Sequence, residues 1–194
     1  MLFRRLPRPW ALALDWILSI AGAIAFVLVF EAEVAKPYRI PSASMEPTLH
    51  CARPVAYCRA RVSDRILANR LAYRFRDPRR GDVVVFDAPK AAQRLCSHGG
   101  VYVKRIVGLP GEQLSERQGF VRVDGRRLAE PYVDPADRGI ETRTFARVPS
   151  GAYFLMGDNR VHSCDSRVWG TVPRKDLIGP VLLRYWPPTR ISIG

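Results

Sequence analysis

A chain of 194 residues with 47% apolar and 25% charged residues is large and apolar enough for one folded domain, and too rich in core formers for a disordered segment. Its 31 basic and 18 acidic residues leave a formal charge of +13, a sign shared by nucleic-acid binders and by proteins at anionic membranes. No helix-turn-helix, zinc-ligand or aromatic RNA-platform pattern accompanies that charge, so nucleic acid is not an expected partner.

In chain order the first element is Trp10–Phe30 (WALALDWILSIAGAIAFVLVF), interrupted only by Asp15 and Ser19. Its length as a helix matches a bilayer core of roughly 30 Å, and it is expected to span once. Arg4, Arg5 and Arg8 precede it without an acid, whereas Glu31, Glu33, Lys36 and Arg39 cancel after it. The positive-inside rule then assigns residues 1–9 to the cytoplasm and residues 36–194 to the extracytoplasmic side, with 10–30 as the anchor. A cleavable leader reads less well: cleavage after Ala35 or Ala32 would put Glu33 or Phe30 where a small residue is wanted.

From Lys36 onward the pattern is mainly β, short antiparallel strands between Pro, Gly and Asp punctuation. Asp82–Phe86, Val101–Val107, Gly119–Val123, Ala152–Met156 and Leu177–Trp186 are the clearest runs, and Asp124-Gly125 is a two-residue hairpin signal. A helical turn is expected at Ser44–Met45 and another helix over Ile66–Phe75. Residues 116–147 are expected to form a small cap, its 126–147 part polar and loop-like. Cys51, Cys58, Cys96 and Cys164 contain no CxxC pair, which argues against structural zinc; of the three pairings, Cys51 with Cys58 would close a short loop.

Three segments concentrate side chains able to do chemistry. Tyr38–Leu49 (YRIPSASMEPTL) presents Ser42 and Ser44 between stiffening prolines, which suits a nucleophile and also suits an ordinary Ser/Pro loop. A serine needs a base. The histidines are His50, His98 and His162, and no GxSxG elbow is present. A lysine serves only if desolvation strips its proton, and Lys36, Lys90 and Lys175 all sit in polar or proline-flanked positions. Lys104, in VYVKRIV, shares a strand face with Tyr102 and Ile106, while Arg105 points with Val103 and Val107 to the other. It is either a dry amine or an edge lysine reaching for water. The third segment, Gly157–Gly170 (GDNRVHSCDSRVWG), offers Ser163 to hold an amine, Asp165 and Arg167 as a bracing pair, and Asp158 and Asn159 to fix a turn through their own backbone.

Together, PSASMEPTL (41–49), LANRLAYRFRDPRRGDVVVF (67–86), KRIVGLPGE (104–112) and GDNRVHSCDSRVWG (157–170) resemble, in order and spacing, the signature segments of bacterial type I signal peptidases. The resemblance covers nearly all of the chain after the anchor. It implies an antiparallel β catalytic domain with a small cap, and a serine endopeptidase that cleaves signal peptides from exported preproteins after Ala-x-Ala-like sites at the cytoplasmic membrane. It further implies Ser44 as nucleophile, Lys104 as base, Ser42 and the Ser44 amide as oxyanion hole, and Ser163 as the serine that orients the lysine. Asp165 and Arg167 would support them. Ile40, Pro41, Met45, Leu49, Tyr102 and Val103 would line a small pocket beside the nucleophile, with Tyr38 and Val101 near a second. Preproteins and the phospholipid bilayer are the implied partners, a monomer is expected, and neither metal nor organic cofactor is required. Val161, His162 and Cys164 depart from the family's usual residues. A dedicated processor of few substrates, or a membrane-tethered binding protein that has lost catalysis, are the rival readings.

Overall fold

The computed structural model describes residues 8–96 and 99–194. Helix α1 (Arg8–Glu33) opens the chain. Its stretch Leu12–Glu31 has a mean hydropathy of 2.3 and packs against nothing in the protein, so its apolar surface is open on all sides. Length and composition allow a membrane crossing. The chain then turns directly into β1 (Ala35–Arg39).

The main sheet runs β1–β2–β11–β3–β4–β9–β10, with β12 added to β11; all its pairings are antiparallel. Its strands are β2 (Arg65–Asn69), β3 (Val83–Asp87), β4 (Val101–Gly108), β9 (Ala152–Met156), β10 (Val172–Pro173), β11 (Leu177–Trp186) and β12 (Ser192–Ile193). The sheet curls enough for residues near the β1 edge to meet the middle of β3 and β4: Ile40, Met45 and Leu49 pack with Ile66, Val85 and Val181, joined by Tyr38 and Val103. Its other face carries Val84, Phe86, Ile106, Tyr153 and Leu155, with Trp169 and Ala92 from the short helices α3 (Lys90–Leu95) and α4 (Ser166–Trp169).

A second sheet, β7–β6–β5–β8, is built from β5 (Leu114–Arg117), β6 (Phe120–Val123), β7 (Arg126–Arg127) and β8 (Arg143–Thr144). Asp124 and Gly125 both take positive φ (48° and 79°), the two-residue turn that matches strand twist. The polar 126–147 segment thus contributes two short strands as well as loop. Leu114 and Val121 of this sheet bury against Val107, Phe154 and Met156 of the main one.

The expected helix over Ile66–Phe75 is corrected. Residues 65–69 are a strand, because Ile66 and Ala68 alternate into the core at period two. Only Ala72–Phe75 is helical (α2). The break falls at Asn69, whose Oδ1 accepts the N–H groups of Leu71 and Ala72, both at 3.0 Å. Two disulfides, Cys51–Cys58 and Cys96–Cys164, close the loop after the Ser44 segment and tie α3 to the 157–170 loop.

Candidate active site

Ser44 lies in a single 3-10 turn, Ala43–Met45, which follows Pro41 and packs inward through Ala43 and Met45. Ser44 is 8% exposed and Lys104 4%, and Lys104 Nζ stands 2.6 Å from Ser44 Oγ. Along β4, Tyr102 and Ile106 pack in one core cluster and Val103 in the other, as the strand period requires. Burial lowers the Lys104 pKa to about 8, with Asp165 and Asp158 pulling it back up and Arg167 pushing it down. Lys36, Lys90 and Lys175 are exposed. His50 Nδ1 is engaged by Glu46 and the His162 ring by Tyr57; His98 lies outside the described residues, as do Arg4 and Arg5.

The turn is held from two sides. Asn159 N–H donates to Ser44 O at 3.2 Å, and a Cβ on Gly157 would collide with that same oxygen. Only glycine lets the 157–170 loop close on the Ser44 backbone. On the other side Glu46, fully buried, accepts the N–H groups of Cys51 and Arg59, each at 3.2 Å. Ser42 is exposed, with its Oγ 3.4 Å from Ser44 Oγ. Amides in the first turn of a helix lack an intrahelical acceptor, and Ser44 N–H occupies such a position.

The remaining candidates distribute as follows. Asp165 grips Arg167 through two contacts, 2.8 and 2.9 Å, and accepts Gly157 N–H at 3.0 Å. Burial alone would raise its pKa, but Arg167, the Gly157 N–H and Ser163 together outweigh burial and hold the carboxyl low. Ser163 Oγ is buried near Asp165 and makes no hydrogen bond of good geometry, to Lys104 or to any other described residue. Asn159 fixes the turn, its Oδ1 accepting His162 N–H at 3.1 Å. Asp158 does not bond its own backbone. It reaches to Arg105, Nε at 2.9 Å and Nη2 at 2.6 Å, and accepts Thr48 Oγ1 at 2.5 Å.

The pocket candidates separate. Tyr38, Ile40, Met45, Leu49 and Val103 form one apolar cluster around the Ser44 turn. Tyr102 lies on the opposite face of β4 against Phe86 and Trp169, and Pro41 and Val101 are exposed. A cavity of about 530 Å³ lined by Leu49, Asp82, Arg105 and the β11–β12 region is bordered by neither Ser44 nor Lys104. Four contributors escape a reading of the sequence: Glu46, Thr48, Arg105 and Gly157. Of these the glycine alone carries a readable signal, since it stands directly after the hydrophobic AYFLM strand where the chain must leave the sheet.

A buried serine hydroxyl in contact with a desolvated amine is the equipment of a serine hydrolase that uses lysine as its base. The family profile described as "Signal peptidase, peptidase S26" matches residues 13–186, and the chain belongs to that family of peptidases. Two proteins of Synechocystis are similar to it along most of their length. A probable signal peptidase I-2 is 37% identical over 175 residues, 90% of this chain and 74% of that one. A probable signal peptidase I-1 is 35% identical over 187 residues, 95% and 88%. A signal peptidase I of Leptolyngbya laminosa is 36% identical over 183 residues, 92% and 82%.

Proposed function

We propose that this peptidase is held in the cytoplasmic membrane by α1 and removes signal peptides from exported preproteins, with Ser44 as nucleophile and Lys104 as general base. The observation that carries this reading is the 2.6 Å contact between Lys104 Nζ and Ser44 Oγ, both on buried residues. With the amine neutral, Ser44 Oγ–H donates to Nζ while Oγ attacks the scissile carbonyl. The proton then passes from Nζ to the leaving amine, and the emptied amine activates the water that releases the acyl group. The Ser44 amide and the Ser42 hydroxyl stabilise the oxyanion, a contribution of roughly 3 kcal/mol per donor in comparable sites. Asp165 and Arg167 keep the 157–170 loop seated, and Ser163 adjusts onto the amine when substrate fills the site. The apolar cluster around the turn admits small side chains, in keeping with Ala-x-Ala-like sites.

Two disulfides in the domain after α1 support an oxidising, extracytoplasmic compartment. The short passage from α1 through β1 to Ser44 keeps the site close to the bilayer, where cleavage sites emerge. The test is processing of a model preprotein by the full-length protein. Ser44→Ala and Lys104→Ala each abolish cleavage while the circular dichroism spectrum stays that of the wild type. The wild-type rate climbs about tenfold per pH unit below the Lys104 pKa and levels off above about 8. Cleavage that survives Lys104→Ala, or a flat profile from pH 6 to 9, rejects the proposed base.

A further inference from the structure

Strand β4 has two kinds of edge. Val101–Arg105 pair with β3, but β9 pairs with β4 only from Arg105 onward, so among the described residues the β9 side of Val101–Lys104 carries no strand. A substrate whose carbonyl sits at Ser44 and whose upstream residues lie extended along that edge is collinear with β9. Past the carbonyl it cannot continue in the same row, because Met156 and the Gly157–His162 turn already occupy it. The first residues downstream of the cut must therefore climb over that turn.

What they meet there is built and exposed, and no step of the proposed chemistry uses it. The turn is coupled to the nucleophile through Asn159, which donates to Ser44 O and accepts from His162 N–H. The His162 ring stacks on Tyr57, centroids 3.5 Å apart and planes at 15°. Tyr57 is 64% exposed and adopts φ 64°, a region bulky residues seldom enter, within the loop that Cys51–Cys58 closes. Val161, beside His162, is 51% exposed. Arg59 bonds Asp134 at 3.0 Å and Asp137 at 2.6 Å, and Val161 N–H donates to Asp137 O, so the two loops are clamped into one ledge. The ledge offers aromatic faces and a branched apolar side chain, with the Asp137 carboxylate close to His162.

We propose that Tyr57, Val161 and His162 form a subsite for the mature side of the scissile bond. It takes an aromatic or long aliphatic side chain from one of the first three mature residues and disfavours a short acidic one, which cannot cover these aromatic and apolar faces. This inference rests on the reading of Ser44 as the nucleophile.

The test uses full-length protein in detergent and preproteins identical through the signal peptide, with Phe or Asp at each of the first three mature positions in turn. The wild type cleaves the Phe substrate with about fivefold higher kcat/KM at one of these positions. Tyr57→Ala and His162→Asn each bring that ratio close to one, and Tyr57→Phe keeps it. The ratio compares two substrates on one preparation, so a partly unfolded variant still reports. Equal rates at all three positions, or a preference untouched by both variants, overturns the subsite. Cleavage by Ser44→Ala would instead overturn the nucleophile assignment, whatever the ratios.

Discussion

On one face of β4, Lys104 is buried with a serine hydroxyl as its hydrogen-bond partner; one residue along, on the other face, Arg105 is half-buried against a carboxylate. The Arg105 guanidinium donates to Asp158 through Nε and Nη2, to Gly81 O at 2.8 Å, and lies 4.0 Å from the centre of the Tyr132 ring. Burial works against its charge, and Asp158 more than restores it. Lys104 has Asp165 and Asp158 only as more distant influences, and burial prevails, taking it to about 8. The pKa values of two adjacent cations thus move in opposite directions. The contrast separates what burial does from what a partner does: a two-point carboxylate offsets the cost of burying a cation, and a hydroxyl does not.

The comparison is broken most severely by giving the Lys104 face the chemistry of its neighbour. Lys104→Arg keeps a cation of similar length that cannot shed its proton near neutrality, so cleavage should fall about 10⁴-fold or more, measured as single-turnover processing of a preprotein. Near-wild-type cleavage by that variant at neutral pH would show that charge is not the obstacle. Next in size is the other face. Asp158→Ala strands the Arg105 guanidinium beside Thr48 and should cost about 4 kcal/mol of stability in urea denaturation. The folded fraction of that variant should still cleave, because Asp158 contacts neither Ser44 nor Lys104 in the hydrogen-bond network.

How much of this contrast is legible in the sequence follows from its physics. Period-two alternation in VYVKRIV assigns Lys104 and Arg105 to opposite faces, and Tyr102 and Val103 do lie in different clusters, as alternation demands. The same rule argues against Tyr102 and Val103 lining one wall, a conflict already present in the pattern. The strands of the AYFLM and Leu177–Trp186 runs are readable because continuous apolar stretches between turn residues leave few alternatives. Residues 66–75 mislead because LANRLAYRF has helix formers throughout, and the side chain that divides it, Asn69, acts through a local bond that composition does not reveal. Asp158 looks like a residue of its own turn for a related reason. Its partners Arg105 and Thr48 are 53 and 110 residues away, and such pairing exists only once the sheet has curled.

The smallest effect is also the sharpest on why the Lys104 pKa is depressed. If burial lowers the amine from 10.5 to about 8, the folded state carries a charging penalty whenever both states are protonated. That penalty is about 3 kcal/mol below pH 8, since moving a pKa by one pH unit corresponds to about 1.4 kcal/mol. Lys104→Met removes the charge and keeps most of the side-chain volume, and it gives up one hydrogen bond to Ser44, worth about 1 kcal/mol. The variant should therefore be inactive yet about 2 kcal/mol more stable than the wild type at pH 6 to 7. The sign of the pH dependence follows from linkage. Between about 8 and 10.5 the unfolded chain holds the lysine proton and the folded chain does not, so the wild type gains stability as pH rises. The advantage of the methionine variant should shrink by about 1 kcal/mol between pH 8 and 9, where the folded amine is still losing its proton, read as the difference of two urea midpoints in the same buffers. A gap that stays constant over that interval would mean that the amine next to Ser44 is still charged well above pH 8.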